Sequence, residues 1–79
     1  MTDSELLSRI TSDPAVMVGK PVVRGTRLTV EFLLGLLASG ASEAEILDEY
    51  SGLEDEDLRA CWLFASRALA DTSFMPLVA

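Results

Sequence analysis

The chain has 79 residues, which supports one domain with a small hydrophobic core. It contains no histidine and one cysteine, Cys61, so it lacks the commonest general base and cannot form an internal disulfide or a zinc site of Cys and His ligands. The net charge is −7, but positions 9–27 carry four bases and one acid, whereas positions 28–58 carry nine acids and no base.

The first 28 residues are predicted to form a short helical lead and then a β-arm. Thr2 and Glu5 have the spacing of a capping box, which predicts a helical turn in residues 1–8. In residues 9–28, β-branched residues are interrupted by prolines and glycines, which predicts short extended segments or a hairpin. Because Pro21 has no N–H to donate to a ladder, we expect edge or arm strands.

Residues 30–70 are predicted to form three helices. Thr29 is a plausible N-cap for the first helix and Gly40 a stop, while Ser42 and Glu45 form a second capping box. The third helix begins in the acidic run at 54–57 and carries an apolar stripe. The remaining residues, 71–79, form an apolar tail. The residues predicted to form the core or a dimer interface are Val30, Phe32, Leu33, Leu34, Leu36, Leu37 and Trp62.

Three helices with a glycine-containing turn after the first are typical of a helix-turn-helix-like bundle. The sequence therefore predicts a single, mainly α domain of homeodomain-like or winged-helix type, preceded by the β-arm. The first helix is apolar on more than one side, so we expect it to form the core and part of a homodimer interface. No apolar stretch is long enough to cross a bilayer, and the acidic N-terminus does not resemble a secretory signal, which favours the cytoplasm.

The β-arm contains the residues of the chain that are most suited to binding a partner. Its candidate binding residues are Lys20, Arg24, Gly25, Thr26 and Arg27. A guanidinium group can grip a carboxylate or a phosphate with two hydrogen bonds, so the arm can bind an acidic protein or a nucleic-acid backbone. Alternatively, the two arginines pair with acids of the body across a dimer. Proline after the lysine excludes a nucleotide-binding P-loop, and we predict no catalytic residue, metal, cofactor or small-molecule substrate.

The run Gly19-Lys20-Pro21-Val22-Val23-Arg24-Gly25-Thr26-Arg27 resembles the domain-of-unknown-function family 433. The similarity extends from Arg9 to Ala68, with Glu54 and Phe64 as departures from the family pattern. It implies a helix-turn-helix-like fold, and many members look like antitoxins encoded beside a PIN-like ribonuclease toxin. The resemblance thus implies neutralisation of such a toxin, with self-repression at the operator.

Two other functions remain open, a dimeric DNA-binding regulator and a purely structural dimer. A recognition helix presents its N-terminal residues to the bases, beside a highly charged phosphate backbone. Here the corresponding helix begins with four acids, Glu54 to Asp57, which DNA would repel. If the chain binds DNA, we expect the basic arm to make the contact.

Overall fold

In the computed structural model, which describes residues 1–70, three helices begin at a side-chain cap. α1 (Asp3–Leu7) and α3 (Glu43–Glu49) each start with a complete capping box, formed by Thr2 and Ser42 with the glutamate three residues later. α2 (Val30–Ala38) starts at Thr29, whose hydroxyl accepts from the N–H of Phe32. The predicted starts are confirmed, and the predicted apolar tail, 71–79, lies outside the described residues.

The β-arm is a short antiparallel hairpin that packs on the helices. β1 (Ile10–Thr11) pairs with β2 (Val22–Val23), with Ile10 opposite Val23, and Val22 also bridges to Thr29 just before α2. Both valines of β2 are buried, and β1 contacts the last helix. The hairpin is therefore confirmed, but its strands are part of the core and do not project as a free arm.

The last helix, α4 (Asp55–Ala70), lies against α1, α2, α3 and β1. This arrangement confirms a mainly helical, small bundle with a hairpin. Within residues 1–70, no helix combines the length and hydrophobicity that a membrane crossing requires. The buried side chains that form the core are Val23, Val30, Leu33, Ile46, Leu53, Leu58 and Cys61.

The predicted core residues divide into three groups. Val30 and Leu33 are buried, and the other three leucines of α2 are half-buried against the core. Phe32 and Trp62 are 43% and 50% exposed, so neither belongs to the core of the single chain. The buried side of α4 is formed by Asp57, Leu58, Ala60 and Cys61, and the place of Phe32 and Trp62 in a dimer interface stays a prediction.

Candidate functional site

The basic loop, defined as residues 24–27, is a tight turn between β2 and α2. The N–H of Thr26 donates to the carbonyl of Val23 at 3.0 Å, which closes the turn around Arg24 and Gly25. Gly25 has a φ of +81°, the left-handed conformation that the third position of a type II turn requires. The sequence folds this way because glycine adopts that conformation without steric cost.

Further hydrogen bonds fix the loop on both sides. The Thr26 hydroxyl donates to the carbonyl of Val23 at 2.8 Å and accepts from the N–H of Leu28 at 3.0 Å. The N–H of Arg24 donates to the carbonyl of Arg9 at 2.7 Å, which ties the loop to the hairpin. Thr26 is therefore half-buried and holds the turn, while the flanking arginines, Arg24 and Arg27, are exposed.

A groove of about 450 Å³ lies beside the basic loop. Its polar lining residues include Arg27, Thr11 and Asp13, whose carboxylate accepts from the N–H of Ala15 at 2.9 Å. Because the Thr26 hydroxyl already donates within the loop, Arg27 and Thr11 are the lining groups that suit a carboxylate or phosphate, whereas Asp13 repels one. An anionic group in this groove would therefore be held chiefly by the arginine. The lining residues are Thr11, Asp13, Val16, Val22, Gly25, Thr26 and Arg27.

Only part of the predicted basic surface is free. Arg9 is 3.0 Å from Asp57 and 3.3 Å from Glu54, and its pKa is raised, chiefly by the hydrogen bond to Asp57. Lys20 is 2.8 Å from Glu31, and the hydrogen bond from this ammonium lowers the pKa of the Glu31 carboxyl. Lys20, predicted to bind a partner, is thus already engaged within the chain.

The two arginines of the basic loop differ from these paired bases. Among residues 1–70, the ion pairs involve Arg9, Lys20 and Arg67, and neither Arg24 nor Arg27 takes part in one. Within residues 1–70, pairing with acids of the same chain is therefore not their role. The loop therefore presents two exposed guanidinium groups on a backbone that hydrogen bonds hold in one conformation.

The acidic run at 54–57, at the start of α4, is not a uniform surface. Asp57 is only 6% exposed, and its Oδ2 accepts from the N–H of Glu54 at 2.8 Å while its Oδ1 faces Arg9. This carboxylate thus caps the start of α4 and joins it to the residue before β1. One of the four acids, Asp57, is thus buried beside the guanidinium of Arg9, which compensates its charge.

The loop between the strands has a feature that residue types did not predict. Met17 and Val18 have φ values of +50° and +56°, a region that L residues, and β-branched ones above all, rarely adopt. Val18 is 93% exposed, so burial does not compensate this strain. The Ser12 hydroxyl donates to the carbonyl of Gly19 and closes the loop. Valine usually indicates a strand, so the sequence held no signal for this turn.

The remaining chemical groups do not form a second site within residues 1–70. No three Cys, Asp or Glu side chains there are grouped as metal ligands would be. Cys61 is fully buried, and burial, followed by the nearby charge of Asp57, raises the pKa of its thiol to about 11. A thiol that stays protonated is a poor nucleophile.

Comparison with known proteins places the basic loop inside a shared region. Residues 10–65 match the family model described as "Protein of unknown function (DUF433)". Uncharacterized protein y4eO of Sinorhizobium fredii is 36% identical over 56 residues, which cover 71% of this chain and 25% of that protein. The crystal structure of a DUF433 member protein from Anabaena variabilis is 34% identical, with a TM-score of 0.74, and the match covers 81% of this chain and 63% of that one. The chain thus spans about a quarter of the Sinorhizobium protein and less than two thirds of the Anabaena chain.

Proposed function

This chain belongs to the DUF433 family, and we propose that it is the antitoxin of a type II toxin–antitoxin system, which binds and silences a PIN-like nuclease. The resemblance noted above supports this function, since many members look like antitoxins encoded beside such a nuclease. In this proposal the chain is a non-enzymatic cytoplasmic homodimer that presents two basic loops and also represses its own operon.

The observation that carries the proposal is the state of Arg24 and Arg27. Both are exposed, and within residues 1–70 neither forms an ion pair. A PIN-like nuclease holds its metal ions with a cluster of carboxylates, and a guanidinium fork pairs with a carboxylate through two charge-assisted hydrogen bonds. Because the loop backbone is already fixed, inserting it into such a cluster costs little ordering entropy.

The acidic body supports the same partner. Nine acids and no base occupy positions 28–58, and Asp57 alone among these acids is buried. A surface of this sign complements the basic rim with which a ribonuclease holds RNA, and complementary charge accelerates association and selects the partner. The basic loop and the acidic body would thus contact different parts of one nuclease.

The test is co-expression with the product of the neighbouring reading frame, followed by co-purification and an RNA-cleavage assay. Arg24→Ala combined with Arg27→Ala should weaken binding at least tenfold and restore cleavage. Arg59→Ala is the matched control, because it removes an exposed arginine on α4, outside the loop, and should leave both readouts unchanged. The proposal fails if the double variant binds and silences the nuclease as well as the wild type.

Operator binding is tested separately, with the chain alone and the DNA upstream of its gene. If the basic loop holds the phosphate backbone, the double arginine variant should abolish the gel shift. Neutralising the exposed Asp55 together with Glu56 should leave the shift intact or strengthen it, because these acids repel DNA. A shift by a chain that binds no nuclease would favour the DNA-binding regulator over the antitoxin.

A further inference from the structure

Helix α2 has an exposed face on which Glu31, already paired with Lys20, is the one charged residue. Phe32, Gly35 and Ser39 recur three and four positions apart, so they lie on one side of the helix, with the half-buried Leu36 beside them. The Ser39 hydroxyl donates to the carbonyl of Gly35 at 2.9 Å, so its hydrogen-bonding capacity is largely used within the helix. This outer face of α2 (Phe32, Gly35, Leu36 and Ser39) resembles an interface more than a solvated surface.

Gly35 is unexplained by the single chain. It lies in the middle of a nine-residue helix, where glycine is among the least favourable residues. A Cβ atom built on it would meet nothing within 4 Å, so no neighbour among residues 1–70 requires glycine there. A physical reason for glycine that lies outside the single chain is the close approach of another backbone.

We infer that the outer face of α2 binds the same face of a second copy, with the two helices antiparallel across a two-fold axis near Gly35. In a two-fold interface, residue i contacts residue j and residue j contacts residue i, so the surface must complement itself. With Gly35 at the axis, Phe32 of one copy lies over Ser39 of the other. The large side chain at one end of the face thus meets the small side chain at the other.

Charge favours the same arrangement. The start of α2 follows the basic loop after two residues, so the exposed Arg24 and Arg27 make this end of the helix the basic one, while Lys20 there is already paired with Glu31. Alongside the other end, an apolar groove of about 190 Å³ lies between α2 and α3, with Glu45 and Glu49 among its lining residues. Antiparallel helices bring the basic end of each copy towards the two glutamates that line this groove in the other copy. Parallel helices would instead bring like charges together.

This inference rests on the dimeric part of the proposed function, but it concerns the chain alone. A nuclease is absent from its test, so a failure to dimerise and a failure to silence a toxin are separate results.

The first experiment tests the axis. Gly35→Cys places a thiol at the two-fold axis, where two Cα atoms can approach within the roughly 7 Å that a disulfide spans. Mild oxidation should convert most of this variant into a covalent dimer. Gly52→Cys is the control, because Gly52 is exposed in the turn after α3 and should cross-link slowly at the same concentration. Buried Cys61 should stay unreacted in both variants. Equal cross-linking of the two variants overturns the proposed axis.

The second experiment separates folding from association. Gly35→Gln should strengthen α2 and raise the Tm of the dilute, monomeric chain, yet raise the dimer dissociation constant at least tenfold in sedimentation equilibrium. Gly52→Gln, also at an open position, should leave the dissociation constant unchanged. The inference is contradicted if the wild-type chain stays monomeric at every concentration of a series that spans a 100-fold range. It is also contradicted if the Gly35→Gln variant dimerises as strongly as the wild type.

Discussion

Replacing Asp57 tests whether a buried carboxylate holds the start of α4. Its Oδ2 accepts from the N–H of Glu54 at 2.8 Å, and removal of a comparable helix-capping bond costs about 1–2 kcal/mol. Because Glu54 is exposed, water can replace the lost acceptor, and the cost of this bond stays in the capping range. We expect the free energy of unfolding to fall by about 1 kcal/mol from this bond, with the lost contact between Arg9 and the buried carboxylate in addition.

Urea unfolding followed by circular dichroism at 222 nm measures this change, because four helices dominate the signal. Asp57→Asn keeps an oxygen for the Glu54 N–H but removes the charge that faces Arg9, so it should lose less than Asp57→Ala. Asp55→Asn is the matched control, an exposed acid in the same turn of α4. If Asp57→Ala lies within about 0.5 kcal/mol of that control, the usual range for surface substitutions, the argument is refuted.

Three further predictions address the strained loop, the α2 cap and the thiol. Val18→Asn should raise the free energy of unfolding by about 1 kcal/mol, since asparagine tolerates a φ of +56° better and the valine is exposed. Thr29→Ala should lower it by about 1 kcal/mol in urea unfolding, while Thr29→Ser, which keeps the capping oxygen, should lose less. Cys61 should resist an aromatic disulfide reagent at pH 8 in the folded chain and react readily in urea, because burial raises its pKa to about 11. Since an unfolded thiol deprotonates first, near pH 9, stability should fall as the pH rises from 9 towards 11.

Each of these predictions has a contradicting outcome. A Val18→Asn variant that is less stable than wild type would mean that the valine side chain makes a contact that the single chain does not contain. Equal losses for the two Thr29 variants would assign the effect to the lost methyl group. Rapid labelling of Cys61 in the folded chain would show that α4 opens locally.

The sequence alone determined the features that depend on neighbours along the chain. The capping boxes at Thr2 and Ser42, and the cap at Thr29, join residues three positions apart, so their spacing predicted three helix starts. Gly40, with a φ of +106°, follows the end of α2 where a stop was predicted. The turn at Gly25 was expected for the same reason, because its conformation depends on one residue type.

Only the tertiary structure decided which charges are free and which apolar residues are covered. Arg9 meets Asp57 across 48 positions of sequence, and this contact accompanies the burial of an acid, while Trp62 on the same helix is 50% exposed. The pairing of Lys20 with Glu31 leaves Arg24 and Arg27 as the part of the predicted basic surface that forms no ion pair within residues 1–70. The left-handed conformation of Val18 opposes the residue's own preference, so only the closed loop around it could impose that conformation. The spacing of residues along the chain could not predict these features. The ion pairs depend on the close approach of residues that are distant in sequence, and the conformation of Val18 is one that valine itself disfavours.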